Sequence, residues 1–355
     1  MSSTLAFKKT FNSMPKVTSF TPGRVNLIGE HIDYNGGIVL PVALEKGIFI
    51  SLTPRSDNSI RIFSDQFDEV IELSINNIAT SKWSDYALGS IVYANKAGFL
   101  NGGADIAITS TLPIGAGLSS SSALIVGILK LAASLSKKTV DNISIAILAK
   151  RVENEFIGMP CGIMDQMAIS CTDPGKAIAL DTKNLSFEVI SLPKSYHIAI
   201  IHSGEYRLNT DGNYKKRKEE CDIIKEIIGH NDICNMSDNE FILLKNTSTD
   251  LYQRALHCVS EHQRALKAIK AIKDDNIPKL GLLMTESHAS MRDDFKMSLT
   301  NIDNLVNDAI HLGAVGARLT GGGFGGCIVA CVLKKNLKTW RQKLLSLHPK
   351  AFSVI

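Results

Sequence analysis

The stretch "GRVNLIGEHIDYNGGIVLP" (residues 23–41) mixes ionisable and aliphatic side chains more closely than surface loops or buried strands usually do. Within ten residues it carries Arg24, Glu30, His31 and Asp33, and Val, Leu and Ile residues flank and interrupt them. Charged side chains are mostly exposed, whereas aliphatic runs are mostly buried. The pattern therefore predicts a polar cluster that is held at the edge of a hydrophobic core.

The bulk composition is that of an ordinary globular protein, with 355 residues of which 45% are hydrophobic and 21% charged. At roughly 150 residues per domain, this length predicts two domains. The composition loosens around residues 173–195, and we place the boundary there, with an N-terminal domain at 1–185 and a C-terminal domain at 186–355.

Charge and cysteine usage argue against several classes of protein. The net charge of +4 is small, and the densest basic run, "YKKRKEEC" (214–221), contains two glutamates, so we expect no nucleic-acid partner. The seven cysteines include no CxxC pair, which argues against a zinc site, and they are too sparse for a disulfide framework.

No membrane association is expected either. The N-terminal "MSSTLAFKKTF" lacks an apolar core of signal-peptide length. The most hydrophobic segment, "SSALIVGILKLAASL" (121–135), is interrupted by Lys130 well short of a membrane span. We therefore expect a cytoplasmic protein in a reducing compartment, and we expect it to be a monomer.

The alternation of apolar residues predicts a coarse secondary structure. Residues 37–54 are rich in Val, Ile and Leu and predict two paired strands with a turn near residues 45–47. Further strands are predicted at 104–112 and 196–203, a buried helix at 119–136, an amphipathic helix at 143–158 that Gly158 closes, and a long helical zone at 213–297. Separated helices and antiparallel-looking strands favour the α+β class.

The segment "LPIGAGLSSSSAL" (112–124) places Gly115 and Gly117 between a predicted strand and a helix that begins in serines. Glycines let the backbone approach a ligand closely, and a helix N-terminus adds unpaired N–H groups and a positive dipole end. Together these features are typical of a phosphate site, in which a serine hydroxyl can also bind Mg²⁺. A plain serine N-cap after a glycine turn would give the same pattern.

Other phosphate-binding classes do not match. The chain has no GxxxxGK[ST] motif, and the residues near 137–140, "KKTV", lack the acid that a dinucleotide-binding loop needs about 20 residues after its glycines. The HRD and DFG motifs of protein kinases are also missing.

Five motifs in order carry a family resemblance. They are "GRVNLIGEHIDY" (23–34), "LPIGAGLSSSSAL" (112–124), "ENEFIGMPCGIMDQMA" (153–168), "ESHASMRDDF" (286–295) and "GARLTGGGFGGC" (316–327). This set resembles the GHMP small-molecule kinases, and the first motif is similar to the galactokinase signature. The resemblance covers most of the chain and implies a two-domain GHMP kinase fold, with an N-terminal α/β lobe and a ferredoxin-like C-terminal lobe.

The resemblance also implies the substrates. Galactokinases transfer the γ-phosphoryl group of ATP to the C1 hydroxyl of α-D-galactose. The positions that bind the sugar in the family are occupied here by Glu30, His31, Asp33, Gly162 and Tyr214. Carboxylates accept hydrogen bonds from sugar hydroxyls and an imidazole can donate or accept them, so the residue types suit that role.

The catalytic and nucleotide-binding roles are implied in the same way. Asp165 matches the catalytic aspartate, which accepts or orients the C1 hydroxyl proton, and Arg24 matches the arginine that stabilises charge beside it. Ser121 and Glu153 match the family's Mg²⁺ ligands. The loop that should hold the ATP phosphates consists of Gly115, Ala116, Gly117, Leu118, Ser119, Ser120 and Ser121.

The sequence departs from the family pattern at a few positions. Ile32 stands where threonine is usual, Lys215 follows Tyr214 where asparagine is common, and Ser122 and Ile125 replace the usual alanine and glutamate. These changes leave open a galactose analogue, N-acetylgalactosamine or galacturonate, as the acceptor. A non-catalytic regulator that binds ATP and galactose is a further alternative, although such relatives have damaged second motifs and this chain keeps "GAGLSSS".

Overall fold

The computed structural model describes residues 2–136, 138–206 and 212–355. The α-helices are α1 (Ser3–Phe11), α2 (Asp85–Lys96), α3 (Ser120–Leu135), α4 (Asn142–Arg151), α5 (Met164–Cys171), α6 (Asn213–Ile228), α7 (Asp238–Thr247), α8 (Thr249–Lys273), α9 (Ile277–Asp293), α10 (Thr300–His311) and α11 (Leu337–Leu347). A π-helical turn (Val152–Ile157) follows α4. Within these residues, no helix combines the length and the apolar character that crossing a membrane requires.

The β-strands form two sheets. They are β1 (Val17–Asn26), β2 (Ile38–Val39), β3 (Pro41–Pro54), β4 (Ser59–Ser64), β5 (Glu69–Ser74), β6 (Ala104–Ser110), β7 (Lys176–Asp181), β8 (Phe187–Ser191), β9 (Tyr196–His202), β10 (Gly316–Thr320), β11 (Cys327–Leu333) and β12 (Phe352–Ser353).

The chain forms two compact units, each built from separate stretches of sequence. Unit 1 comprises the residues up to Arg24 together with Ala43–Ile114 and Ser119–Pro174. Unit 2 comprises Val25–Val42, Gly115–Leu118 and the described residues from Gly175 to Ile355. The division of the chain into domains 1–185 and 186–355 remains a proposal.

Unit 1 packs helices against mixed β-structure. Strand β6 pairs antiparallel with β3 and parallel with β4, and β4 pairs antiparallel with β5. Helix α3 comes close to β1 and β3 at Gly127, where a Cβ would collide with Thr21 and Ile50. Most of α3 is buried, which confirms the buried helix predicted from its run of apolar residues.

The turn predicted near residues 45–47 is wrong, because β3 continues through them as one 14-residue strand. Gly47 donates its N–H to Thr111 Oγ1 at 2.9 Å and accepts from the Thr111 N–H at 3.0 Å. A Cβ at Gly47 would meet the Phe20 ring and the backbone of Thr21. The glycine therefore reflects a close approach inside the sheet rather than a turn.

Helix α4 and the π-helical turn confirm the helix predicted for residues 143–158. The segment ends at Gly158, whose φ of 76° is the left-handed conformation that favours glycine at a helix C-terminus. The π-turn places Glu153 on the buried side of this segment. π-bulges occur frequently at functional sites because they redirect a side chain.

Unit 2 contains a four-stranded antiparallel sheet in the order β10–β11–β9–β12, with Val329 of β11 opposite Ile200 of β9. Helices α9 and α10 pack on this sheet, and α8 packs along α9. Strand β7 pairs antiparallel with β2 and β8 in the same unit. Helices and antiparallel strands are thus segregated, as the α+β prediction requires.

Candidate active site

In unit 1, Arg24 and Asp165 form a bidentate ion pair. The Arg24 Nε donates to Asp165 Oδ1 at 2.7 Å, and Nη2 donates to Oδ2. Asp165 lies in the first turn of α5, where the helix dipole favours a negative charge. The Arg24 side chain is 9% exposed and that of Asp165 25%, so the carboxylate is held in one orientation and still reaches solvent.

Ser119 joins this pair at the start of α3. Its hydroxyl donates to Asp165 Oδ2 at 2.5 Å, and its backbone is left-handed with a φ of 57°. Its side chain makes no capping hydrogen bond to the helix. The plain serine N-cap therefore does not describe Ser119, and the hydroxyl orients the carboxylate instead.

Glu153 lies close to the same carboxylate and is itself almost completely buried. Ser122 Oγ donates to its Oε1 at 3.1 Å and Gln166 Nε2 donates to its Oε2, and the Ser121 hydroxyl lies close enough to lower the pKa of the carboxyl. Burial and then the charge of Asp165 raise the pKa of the Glu153 carboxyl, although these hydrogen bonds oppose the shift.

The Glu153 carboxylate and the serine hydroxyls around it suit a hard divalent cation. A carboxylate and serine hydroxyls are oxygen ligands of the kind that Mg²⁺ takes, and Mg²⁺ completes its shell with phosphate oxygens and water. Glu153 accepts from neutral donors, so a cation would compensate its charge. In the described part of the chain, no group of three or more His, Cys, Asp or Glu residues is arranged as a metal cluster.

Gly162 precedes α5 in unit 1 and is buried. The segment before it is fixed by Asn154, whose Oδ1 accepts from the Cys161 N–H at 3.0 Å. Thus Arg24 and Ser119 contact Asp165 directly, and Glu153, with Ser121 beside it, lies close enough to feel the charge of Asp165. Gly162 lies three residues before Asp165.

The glycine loop is divided between the units. Gly115 and Gly117, in unit 2, both have a φ of 71°, which a residue with a side chain adopts at a cost. In the same unit, Cys327 Sγ contacts the carbonyl oxygen of Ala116 at 3.1 Å. Ser119, Ser120 and Ser121, in unit 1, begin α3.

In unit 2, Glu30 is almost fully buried, and its carboxylate accepts from several donors. Asn26 Nδ2 donates to Oε2 at 2.5 Å, Arg318 Nη2 donates to the same oxygen at 2.9 Å, and the Gly321 N–H donates to Oε1. Arg318 is completely buried, so this is an interior ion pair. Such a pair is costly to break, because removing one partner leaves an uncompensated charge.

His31 sits among aromatic rings in unit 2. Its Nδ1 lies 2.6 Å from the Tyr34 hydroxyl, and its ring centroid lies 5.1 Å from that of Tyr214 and 4.8 Å from that of Phe295. Tyr214 lies in the first turn of α6. Asp33 is half-buried two residues beyond His31. The sugar-site residues predicted for this unit therefore gather around the turn Gly29–His31, called the polar turn below.

Several residues that support these groups are not among those predicted from the sequence. Arg318, Gln166 and Phe295 contact predicted site residues, and each lies inside a motif quoted above, so motif membership was their only signal. A cavity of about 550 Å³ in unit 1 also went unpredicted. Among the residues that line it are Glu69, Leu73, Asn77, Thr80, Trp83 and Asp85.

Comparisons with known proteins agree with the motifs. The galactokinase galactose-binding signature matches residues 5–54, the GHMP kinase N-terminal domain matches 85–172, and the GHMP kinase C-terminal domain matches 268–343. These matches define a GHMP kinase and confirm the two-domain fold expected for it.

Individual relatives show which group of GHMP kinases the chain resembles. The galactokinase of Glaesserella parasuis serovar 5 is 36% identical over 97% of this chain and 92% of its own length. That of Clostridium perfringens strain SM101 is 37% identical over 92% of this chain and 88% of its own. The chain therefore belongs to the galactokinase family.

Solved structures support the assignment to the galactokinase family. The crystal structure of Lactococcus lactis galactokinase complexed with galactose matches with a TM-score of 0.92 and 31% identity, covering 99% of this chain and 96% of that one. Methanococcus jannaschii mevalonate kinase matches with a TM-score of 0.70 at 20% identity, over 95% of this chain and 97% of its own, and indicates the fold alone.

Proposed function

We propose that this protein transfers the γ-phosphoryl group of ATP to the C1 hydroxyl of α-D-galactose, giving galactose 1-phosphate and ADP. The observation that carries the proposal is the bidentate Arg24–Asp165 pair, fixed by Ser119 in a chain whose relatives are galactokinases. The substrate follows from the names of those relatives and from the polar turn at Glu30 and His31.

Asp165 is the group that we assign to the C1 hydroxyl. A carboxylate held by two fixed residues can orient a hydroxyl and take up its proton as the phosphoryl group is transferred. Arg24 stabilises the carboxylate and offsets negative charge that develops on the transferred group. In phosphoryl transfer most of the catalysis is positioning and electrostatics, so orientation can account for much of the role of Asp165.

The ATP phosphates are assigned to the glycine loop. Gly115 and Gly117 allow a backbone approach without side chains, and the start of α3 offers N–H groups and the positive end of a helix dipole. Because Ser119 turns its hydroxyl to Asp165, that hydroxyl does not occupy the N–H groups of α3.

Mg²⁺ is assigned to Ser121 and Glu153, whose oxygens lie together in unit 1. When bound, the ion would neutralise charge on the phosphate oxygens. Glu153, buried among neutral donors, supplies the negative charge that holds such a cation.

Phe67 and Trp83 form an aromatic wall at the unit 1 cavity described above, and this wall suggests a place for the base of ATP. Phe67 and Trp83 stack with ring centroids 4.8 Å apart at an angle of 11°, and Phe67 is 43% exposed. The neighbouring Gln66 donates to the Leu112 carbonyl oxygen at 2.7 Å, which ties this wall to the first residue of the glycine-loop motif. Flat aromatic surfaces of this kind favour stacking of a heterocyclic base.

The sugar is assigned to Glu30, His31, Asp33, Gly162 and Tyr214. A site built for specific hydroxyls rejects an epimer, because the wrong sugar leaves buried polar groups unpaired at a cost of about 1–3 kcal/mol each. We further propose that the protein acts in the cytoplasm as a monomer, and sedimentation velocity tests the monomeric state directly.

The test is an ADP-release assay with Mg²⁺ over galactose, 2-deoxygalactose, N-acetylgalactosamine, galacturonate, glucose and arabinose. Galactose is expected to give the highest kcat/KM and glucose, its C4 epimer, to be inert. A preference for another sugar would contradict the assigned substrate. Binding of ATP and galactose without turnover would contradict catalysis and favour a regulator.

A further inference from the structure

Glu261 on α8 is a fully buried carboxylate that contacts the backbone of the polar turn. Its Oε1 accepts from the Gly29 N–H at 2.9 Å and from the Glu30 N–H at 3.3 Å, both within unit 2. The same oxygen accepts from Ser287 Oγ at 2.7 Å. One carboxylate oxygen therefore joins the turn to α8 and α9.

The turn that Glu261 holds is conformationally unusual. Gly29 has a φ of 102° and His31 a φ of 59°, so a glycine and a histidine lie in left-handed conformations within three residues. Positive φ is uncommon outside glycine and persists where the surrounding structure enforces it. His257, one helical turn before Glu261, supports the other side by donating from Nε2 to the Glu30 carbonyl oxygen at 3.1 Å.

The charge of Glu261 is compensated by neighbouring arginines. Arg264 Nε donates to its Oε2 at 2.7 Å. Burial alone would raise the pKa of the Glu261 carboxyl, but the charges of Arg264 and Arg318, with smaller contributions from His257 and the Ser287 hydrogen bond, bring that pKa to about 2. At any working pH the turn thus faces an anion, and hydrogen bonds from N–H groups to an anion are stronger than those to a neutral acceptor.

We propose that Glu261 is a positioning residue for sugar binding, which fixes the Gly29–His31 turn by accepting its backbone N–H groups and so orients Glu30 and His31. This proposal rests on the assignment of those two side chains to the sugar. Glu261 acts through the turn and is not itself assigned a contact with the substrate.

The test compares Glu261→Gln with Glu226→Gln, a matched control at an exposed position on α6. The glutamine keeps the size and one acceptor oxygen of Glu261 but loses its charge, and its amide hydrogens face Arg264. We expect the KM for galactose to rise about tenfold, with kcat and the KM for ATP changed less than about twofold. Glu261→Asp, which keeps the charge, is expected to recover part of the loss.

Amide hydrogen exchange provides a readout that does not depend on activity. In Glu261→Gln the amides of Gly29 and Glu30 should exchange at least about tenfold faster than in the wild-type protein. Ser287→Ala is the second variant in case Glu261→Gln does not fold, because it removes one donor to Glu261 Oε1. It should give a smaller change in the galactose KM and in the exchange of the Gly29 and Glu30 amides.

Unchanged galactose KM and unchanged exchange at Gly29 and Glu30 would overturn the proposal. Equal losses in kcat and in both KM values would also overturn it, because they would indicate a general structural role. If the wild-type protein phosphorylates no sugar, the proposed function fails, and the exchange of the two amides still decides whether Glu261 positions the turn.

Discussion

The guanidinium of Arg24 meets the carboxylate of Asp165 side-on, with Nε 2.7 Å from Oδ1 and Nη2 on Oδ2, while the Ser119 hydroxyl donates to Oδ2 from the start of α3. Three donors from two elements thus fix one carboxylate at the head of α5. A group held this firmly can orient a hydroxyl without reorganising during the reaction.

Asp165→Asn should lower kcat by about 10²–10⁴-fold, because the amide cannot accept a proton and its NH2 group replaces one of the two oxygens that accept from Arg24 and Ser119. Galactose and ATP should still bind, which isothermal calorimetry measures alongside steady-state kinetics. Asp173→Asn, an exposed change in the same unit, is the control. Near-normal turnover in Asp165→Asn would remove Asp165 from the mechanism.

Glu153→Gln should raise the Mg²⁺ concentration needed for half-maximal activity by about tenfold, since the variant keeps an oxygen ligand but loses the charge. Folding should be retained, because burial already disfavours the ionised carboxyl. The measurement is a Mg²⁺ titration of the initial rate at saturating ATP, with the exposed Glu45→Gln as control. An unchanged Mg²⁺ midpoint would contradict the assignment.

His257 predicts a pH dependence of stability. Burial lowers the pKa of His257 to about 4, against 6.5 for an ordinary histidine. The charges of Arg264 and Arg318 lower it further, and the charge of Glu261 opposes the shift only in part. Between those values the unfolded chain binds a proton that the folded one does not, so stability falls as the pH drops from 6.5 to 4. The loss from this one group is roughly 3 kcal/mol at most.

Urea denaturation at several pH values measures this dependence. In His257→Gln, which removes the titrating group, the fall in the free energy of unfolding between pH 6.5 and 4 should be smaller than in the wild-type protein. Parallel curves for the two proteins would show that His257 is not the residue responsible.

Ile32, the departure from the family pattern that raised doubt about the sugar, is completely buried and packs next to Gly37 in unit 2. Ile32→Thr should therefore destabilise the protein by about 1–3 kcal/mol, because it places a hydroxyl in an apolar site. The ratio of kcat/KM between galactose and N-acetylgalactosamine should stay within about twofold. Ile223→Thr, at a position 45% exposed on α6, is the control for stability. A change in sugar preference would place Ile32 in the pocket.

Local patterns predicted the parts of the fold that depend on local chemistry. The long apolar run of α3 and the short apolar runs that became β6 and β9 gave their element types, because run length and composition separate a buried helix from a buried strand. The turn predicted inside β3 failed because Gly47 serves a tertiary contact with Phe20, which no local pattern reveals.

The site was predictable only as far as its motifs extend. Arg24 and Glu30 stood out in the mixed polar and aliphatic stretch at residues 23–41, and Asp165 stood out through the family resemblance. The contact from Glu261 to Gly29 spans 232 residues of sequence and that from Arg318 to Glu30 spans 288. Such pairings follow from packing of the whole unit, so neither spacing nor composition could supply them.

The most direct test of the account is ³¹P NMR of the product formed from galactose, ATP and Mg²⁺ by the wild-type protein, with Asp165→Asn in parallel. We predict a phosphate resonance coupled to the C1 proton of α-galactose, formed at least about 10²-fold more slowly by the variant. A phosphate on another hydroxyl, or equal rates for the two proteins, would contradict it.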